Sequence, residues 1–577
     1  MKFAGRIERS IGGAGLYTAL AAHRAGAHVT MFAPRPSPLA IEFAPVAECI
    51  DWIGPIVAPD DLPMFEIAHY GNGKAELVKA RWGAESHLIP ENLPDTDLRA
   101  DIFYCGPVAD PARQLAFVRY FKARGQRVAV GTYGHAVQHY RDTIQQIFAE
   151  ADIFFCNANE ATMLFGNVDA AKTAPGKLLF VTLSASGAMV IQGNYCTSVP
   201  SMMVDELDPT GAGDTFCGTT MALLAQGVHP ILAAQQATIA AAEMVTAVGP
   251  TMLFKPLPSI PIDARVQTDE AQIERVAKLV AQLDEIKPFD FTGQDAPSFG
   301  DPHAIDFFFA STLQQFGFWF DDGKRYTQPF VAALNGRTLK GSDYLWAVYK
   351  RWLDSDANGL MPAAQALVTQ DEFARRYATD NGVMMPMLDE HFRCAQNYGR
   401  DMVALGWTSA QIVERANASA TPLRTFLAQL DHIGGYKEDP LRKKSTLLAI
   451  ILQQRPEHFL RIDASESVPP IIDYHLQRSC LRMGLIDVKD SRLRQALVNR
   501  ELLAADDEWA IRRAAYTAIE HLQRKSGKSM GAVDWFFFGA RRRCPEMTEP
   551  DCANCAADPA CAHHKDLFQP VRRTVFY

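Results

Sequence analysis

A proline-rich stretch, Lys255-Pro-Leu-Pro-Ser-Ile-Pro-Ile-Asp263, separates two parts of this 577-residue chain that follow different hydrophobic periods. Before it, from Gly12 to about Gly249, short β-branched runs alternate with helical segments. Strand-like runs fall at 28–32, 102–104, 127–131, 153–156 and 178–182, with helical spacing at 15–25, 112–124, 135–150 and 214–226. This alternation predicts a three-layer α/β domain, a sheet with helices on both faces. After the break, nearly everything from Glu270 to Gln523 repeats at helical spacing, as in 274–283, 345–353, 445–454 and 509–523. The second part is therefore expected to be a mostly α domain. The expected division is 1–254 and 270–577 with 255–269 as a linker, since a chain this long exceeds one core.

Charge and cysteine usage narrow the function classes. A net charge of −9 argues against a protein that coats nucleic acid. No apolar run reaches the ~18 residues that a membrane span needs, and no signal-peptide pattern opens the chain, so a cytoplasmic protein is expected. A homodimer is compatible with the sequence but not read from it. Of 11 cysteines, seven are scattered singly, and four crowd at Cys544, Cys552, Cys555 and Cys561 in a C-x7-C-x2-C-x5-C pattern. In a cytosolic chain such a cluster points to metal rather than disulfides. Four thiolates in one loop suit a [4Fe–4S] cluster or a structural zinc.

The sharpest motif of the first part is Asp208-Pro-Thr-Gly-Ala-Gly-Asp-Thr-Phe216. The small residues Gly211, Ala212 and Gly213 open an amphipathic helix. Free first-turn amides and the positive end of the helix dipole make an anion hole suited to a phosphoryl group in transfer. Asp214, in that first turn, is placed to take a proton from an attacking hydroxyl. The structural alternative is an ordinary helix start with an acidic first turn. The full string resembles the second signature of the ribokinase/PfkB kinases, and other motifs follow in family order. Ile11-Gly-Gly-Ala-Gly resembles the glycine-rich segment near the sugar site, which points to Gly12 and Gly13 for substrate. Asn157-Ala-Asn-Glu160 resembles the Asn-x-x-Glu motif that arranges Mg²⁺ and phosphates. Val181-Thr-Leu-Ser-Ala-Ser-Gly187 resembles the nucleotide loop, with Ser184 where the family has glycine. The resemblance thus implies ATP and Mg²⁺, held through Asn157, Glu160, Thr182, Gly187 and Thr210. Two departures stand out: Tyr17 where many members have Asn, and only eleven residues before Gly12 to supply the usual first strand and its substrate-binding Asp. Either the start lies upstream or part of the acceptor site is absent.

The second part carries two resemblances. Trp535-Phe-Phe-Phe-Gly-Ala-Arg-Arg-Arg543 and the cysteine spacing resemble the cluster loop of endonuclease III-type (helix-hairpin-helix) DNA glycosylases, which favours iron–sulfur over zinc. Pro470-Ile-Ile-Asp-Tyr-His475 resembles their Asp-bearing segment, although their DNA-gripping hairpin has only a poor counterpart in His432-Ile-Gly-Gly-Tyr436. The queuosine salvage N-glycosylases are similar over a longer span. Ile305–Phe320 resembles their early aromatic helix, Leu441-Arg-Lys-Lys444 and Glu508-Trp-Ala-Ile-Arg512 follow in order, and Asp473-Tyr-His resembles their catalytic Asp segment. On this resemblance Asp473 stabilises a cationic sugar as the base departs, one or two of Phe316, Phe318 and Trp319 sandwich a planar base, and Lys444 is a substrate contact. The structural alternatives are a helix N-cap for Asp473, core packing for the aromatics and a solvated helix face for Arg442–Lys444. Three readings follow: a bifunctional enzyme that phosphorylates a nucleoside and cleaves the resulting monophosphate; a DNA-acting protein with an accessory kinase domain; or a sugar kinase with a non-catalytic helical module. The first takes a small-molecule nucleoside or nucleotide, and the second makes nucleic acid the partner.

Overall fold

Four strands, β1 (Phe103–Cys105), β2 (Val128–Gly131), β3 (Ile153–Asn157) and β4 (Leu178–Thr182), lie parallel and in chain order. An antiparallel hairpin, β5 (Ala188–Gln192) and β6 (Tyr195–Val199), completes the sheet. Their sequences are nearly continuous apolar runs because both faces are covered. Val130, Phe154 and Val181 face Val118, Ile144 and Ile147, whereas Ala129, Phe155 and Phe180 face Phe216, Met221 and Ala237. The two-residue period of a strand sorts neighbours onto opposite cores. The computed structural model describes all residues except 1, 4–5, 8, 72–73, 95–97 and 284–288. The chain divides into two units, Met1–Ile260 and Pro261–Tyr577.

Three helices of the first unit position the site: α1 (Ala14–Arg24), α2 (Ala212–Ala225) and α3 (Pro230–Met244). α1 packs on α2 at Gly218, where an added Cβ would lie 2.1 Å from the Thr18 carbonyl oxygen and 2.9 Å from the Ala21 Cβ. Only glycine permits that approach.

Several expectations need adjustment. The helix read over 135–150 is two, Gly134–His139 and Arg141–Glu150, broken at Tyr140. Val137 and Ile144 are seven residues apart and both buried, so the break leaves no mark in the apolar pattern. A hairpin, Met64–Gly71 with Lys74–Arg81, was not anticipated; it pairs with Lys2–Phe3 in a sheet of its own. Thr30–Phe32 pairs with Asp51–Ile53 apart from the six-stranded sheet. Among the described residues, then, nothing before Gly12 adds a strand to that sheet. Of the stretch read as a linker, Lys255 and Pro256 accept hydrogen bonds from Arg24, while Val266–Thr268 pairs with Ile486–Val488.

The second unit is mostly helical around two apolar cores, one rich in aromatics such as Phe307, Phe308 and Trp352, the other around Ile273, Leu481 and Ile511. Four helices matter below: α4 (Lys443–Gln454), α5 (Tyr474–Met483), α6 (Ala505–Ser526) and α7 (Met530–Ala540). The aromatic run 305–320 is not one helix. The helix Ala304–Thr312 ends before Gly317, whose φ of 73° suits glycine, and Trp319–Asp321 is a strand paired with Tyr326–Pro329. Among the described residues no helix is long and apolar enough to cross a membrane.

Replacing Gly218 by Val should destabilise the protein by about 1–3 kcal/mol through overpacking of α1 on α2. A lowered urea midpoint at unchanged m-value is the expected readout.

Candidate functional sites

In the first unit the predicted residues converge at the carboxyl ends of β3 and β4 and the start of α2. Asn157 and Thr182 are register partners on adjacent strands, and Thr182 pairs with Ala188, next to Gly187. Asn157 and Glu160 form a reciprocal capping box. The Glu160 amide donates to Asn157 Oδ1 at 3.0 Å, and the Asn157 amide donates to Glu160 Oε2 at 2.9 Å. Burial pushes Glu160 up to about 7, with the Asn157 hydrogen bonds opposing and Asp214 adding to the rise. Glu160 and Asp214 therefore feel one another's charge. Gly187 has φ 98°, and a Cβ there would meet the Val199 oxygen at 2.0 Å; Ser184, in the family's glycine position, has φ 55°. A serine thus holds a left-handed conformation in this loop.

Asp208 sets the entry to α2. Its Oδ1 accepts from the Thr210 amide at 3.0 Å and its Oδ2 from the Gly249 amide at 2.9 Å. Gly211 caps α2 with φ 84°, and a Cβ there would fall 2.5 Å from the Tyr17 ring. Ala212 turns its amide toward the Pro209 oxygen at 3.3 Å, so Gly213 and Asp214 offer the freer first-turn amides of the anion hole. Burial pushes the Asp214 carboxyl up to about 6, a base strength near working pH. Tyr17 lies over this turn and beside Gly12, while Gly13 caps α1 with φ 108°. The Tyr17 hydroxyl is buried without a hydrogen-bond partner; burial, then Asp208 and Asp214, push its phenol up. An open depression of about 620 Å³ beside Arg99, Asp101 and Gln126 lies at the opposite ends of these strands, away from this chemistry.

In the second unit Asp473 caps α5: its Oδ1 accepts from the Leu476 amide at 2.9 Å. The capping alternative is thus realised, and it leaves Oδ2 free. The basic run that opens α4 is not a solvated face. Lys443 and Lys444 are both buried, and adjacent helical positions send them apart. Lys444 Nζ donates to the Leu313 oxygen at 2.9 Å and lies 5.1 Å from the Phe316 ring centre. It is Lys443, not Lys444, that faces Asp473: burial draws Lys443 down to about 8, with Asp473 opposing. Asp534 on α7 completes the group. Burial and then Asp473 push it up to about 7, while Lys443 and Arg541 oppose. Sequence reasoning passed over both Lys443 and Asp534; a lone carboxyl in the apolar run Val533–Phe538 was the available signal.

Phe318 and Trp319 line a narrow cavity together with Tyr474, Arg572 and Tyr577. Its volume of about 10 Å³ is the room of about one water, so a base enters only if the walls part. Trp319 is stacked on Tyr326 with centroids 5.3 Å apart, and Phe316 on His391 at 4.0 Å. Phe316 is thereby committed to the core. A buried ion pair ties these parts together. Arg512 Nη2 donates to Asp439 Oδ2 at 2.6 Å and its Nε to the Ile472 oxygen at 3.3 Å, while Asp439 Oδ2 accepts the Lys443 amide at 2.8 Å.

The cysteine loop packs against α5. Arg482 Nη1 donates to Cys544 Sγ at 3.2 Å, and burial followed by the Cys544, Cys552 and Cys555 thiols pushes Cys561 up. Among the described residues, the set whose ligand atoms lie within 4.8 Å of one another is Cys552, Asp558 and His563. Of the four loop cysteines, Cys552 belongs to that set. Part of what favoured DNA is engaged within the protein. Arg541 Nη1 lies 3.2 Å from His475 Nε2, Arg543 pairs with Asp551 at 2.9 Å, and the Gly434 amide donates to Asp401 at 2.8 Å.

Residues 97–255 match the pfkB family of carbohydrate kinases, and residues 296–545 match the queuosine salvage protein family. The two halves carry a PfkB-type kinase domain and a queuosine salvage domain. The chain is 27% identical over 235 residues to a cytidine kinase of Thermococcus kodakarensis, covering 39% of this chain and 83% of that one. It is 28% identical over 140 residues to a mouse ribokinase, covering 22% and 42%. Among solved structures it resembles a Burkholderia thailandensis nucleoside kinase in complex with inosine, at 16% identity and a TM-score of 0.37, covering 44% of this chain and 86% of that one.

Replacing Arg512 by Leu leaves Asp439 buried without its counter-ion and should cost about 3–5 kcal/mol. Denaturant unfolding checks the loss, and adding Asp439→Leu should recover part of it.

Proposed function

We propose that this protein is a two-step salvage enzyme. The kinase domain transfers the γ-phosphoryl group of ATP to the 5′-hydroxyl of a queuosine-type nucleoside, and the helical domain then hydrolyses the N-glycosidic bond of the monophosphate. The observation that carries this reading is the pairing in one chain of a PfkB-type kinase domain with a queuosine salvage domain. A nucleoside acceptor, rather than a plain sugar, is favoured by the likeness to a cytidine kinase.

In the first step Asp214 takes the acceptor hydroxyl's proton while the first-turn amides of α2 steady the charge on the transferring phosphoryl group. The Asn157–Glu160 pair, beside Asp214, suits Mg²⁺ held through water, and Mg²⁺ would supply charge neutralisation for the phosphates. In the second step the free oxygen of Asp473 stabilises the sugar cation, and Phe318, Trp319 and Tyr474 offer aromatic faces to the base. The Cys544, Cys552, Cys555 and Cys561 set is read as the holder of a [4Fe–4S] cluster, which supplies structural bracing rather than a reaction step.

With ATP, Mg²⁺ and queuosine, base release should require ATP. Asp214→Asn should lower ADP formation by about 10²–10⁴-fold and abolish base release, which added queuosine 5′-monophosphate restores. Asp473→Asn should stop release from either substrate while sparing ADP formation. Base release from no nucleoside or monophosphate would sink the second step.

Since Asp214 acts as a base with its carboxyl pushed up to about 6, kcat/KM for phosphorylation should rise with pH through about 6 and then level off. Protein purified without oxygen should carry about four irons per chain with visible iron–sulfur absorption. Cys555→Ser should lose that absorption; one bound zinc and no iron in the parent protein would refute the cluster.

A further inference from the structure

The reaction proposed for the second unit leaves one group unexplained. Breaking an N-glycosidic bond sends the bonding electron pair to a base nitrogen, and a neutral base leaves readily only if a proton arrives with it. Asp473 cannot serve as both the anion facing the sugar and the proton source. Its Oδ1 is committed to the Leu476 amide in the first turn of α5.

Asp534 stands opposite. It lies mid-way along α7, away from the helix start that steadies Asp473. α5 and α7 pack together. Among the described residues Asp534 makes no hydrogen bond or ion pair, and the charged groups that act on it are Asp473, Lys443 and Arg541. Lys443 sits at the first turn of α4, Asp473 caps α5 and Arg541 follows the end of α7. Two carboxyl groups near enough for one's charge to act on the other do not ionise equally. Asp534, which lacks a cap, is the one pushed up, to about 7, by burial and then the Asp473 charge.

From this arrangement, and resting on the glycosylase reading above, we propose that Asp534 is the general acid of the second step, handing its proton to the departing base across the site from Asp473. The C1′–N bond breaks, its electron pair goes to the base nitrogen, and that nitrogen takes the Asp534 proton. Water then adds its oxygen to C1′ and returns a proton to the Asp534 carboxylate, so the enzyme is restored and one water is consumed. Lys443, on which both carboxyl groups act and which donates to the Gln315 oxygen at 3.3 Å, acts as a positioning cation rather than a proton donor.

Two substrates separate this role from a structural one: queuosine 5′-monophosphate, whose base needs a proton, and 4-nitrophenyl β-ribofuranoside 5-phosphate, whose leaving group does not. Asp534→Asn should slow the first by about 10²-fold or more and leave nitrophenol release within about threefold. In the unaltered protein kcat for the nucleotide should fall as pH rises through about 7, because the acid form is lost, and the nitrophenyl substrate should lack that fall. Unchanged ADP formation and melting temperature exclude misfolding, and Asp534→Glu should recover part of the nucleotide rate. Equal loss on both substrates, or no loss on either, overturns the assignment. If the unaltered protein cleaves neither substrate, the glycosylase reading falls and takes the assignment with it; if Asp473→Asn abolishes both activities while Asp534→Asn spares both, only the Asp534 role fails.

Discussion

The second unit is built around the contact between Arg512 and Asp439, an ion pair with both side chains inside the protein. Burial alone would push Asp439 up, and the Arg512 guanidinium and two backbone amides hold it below the usual carboxylate range. The same Asp439 fixes the Lys443 amide, and the same Arg512 grips the Ile472 carbonyl immediately before Asp473. It also lies over the Tyr577 ring, whose hydroxyl donates to Glu508 at 2.7 Å. One guanidinium therefore sets the start of α4, the residue before α5 and a wall of the aromatic cavity. A hydrophobic replacement of the pair could match it in energy but could not reach those three backbone and side-chain partners. The burial of an arginine here is a matter of geometry more than of stability.

The first unit solves a different problem, bringing backbone rather than charge to the reacting atoms. α2 must start within reach of a phosphoryl group, and Gly211 permits it because Tyr17 fills the space a side chain would need. Gly218, two turns on, lets α1 lie flush against α2. The glycine and the tyrosine are a matched set: a smaller residue at 17 would relieve Gly211 but open a void above Asp214. Tyr17 is thus both a departure from the kinase pattern and a wall of this chain's own site. Its buried, unpartnered hydroxyl faces the same two carboxyl groups that organise the turn.

What was legible in the sequence follows from how local each signal is. The strands β1–β4 and the first-turn position of Asp214 could be read because apolar runs and small-residue turns are written in adjacent residues. So could α5, where Asp473 precedes an amphipathic ten-residue segment. The break at Tyr140 was hidden because the helical pieces on either side keep the same apolar phase. The hairpin Met64–Arg81 was missed although Lys74-Ala-Glu-Leu77 alternates charged and apolar residues, the pattern of a strand. Lys443 and Lys444 misled for a deeper reason: their charges suggest solvent, and only the tertiary fold supplies the Leu313 and Gln315 carbonyls that receive them. Asp534 was overlooked because a carboxyl among aromatics has no short-range partner, and its meaning lies in α5, some sixty residues earlier.

The cysteine loop bears on the site through α5 rather than through any direct contact with Asp473. Arg482, late in that helix, donates to the Pro545 oxygen at 2.8 Å as well as to Cys544, and its own carbonyl accepts from the His564 amide at 2.9 Å. Gln272 bridges the Met483 and Ala560 carbonyls from the neighbouring helix. One turn earlier, Arg478 meets Gln569 at 2.9 Å and Glu546 at 3.5 Å. The far half of α5 is therefore held from the loop on two sides, while its near end presents Asp473. A helix is stiff along its axis because each turn is hydrogen-bonded to the next, so the loop's geometry fixes where the Asp473 carboxylate stands. Whatever orders the four thiols therefore bears on Asp473 through α5.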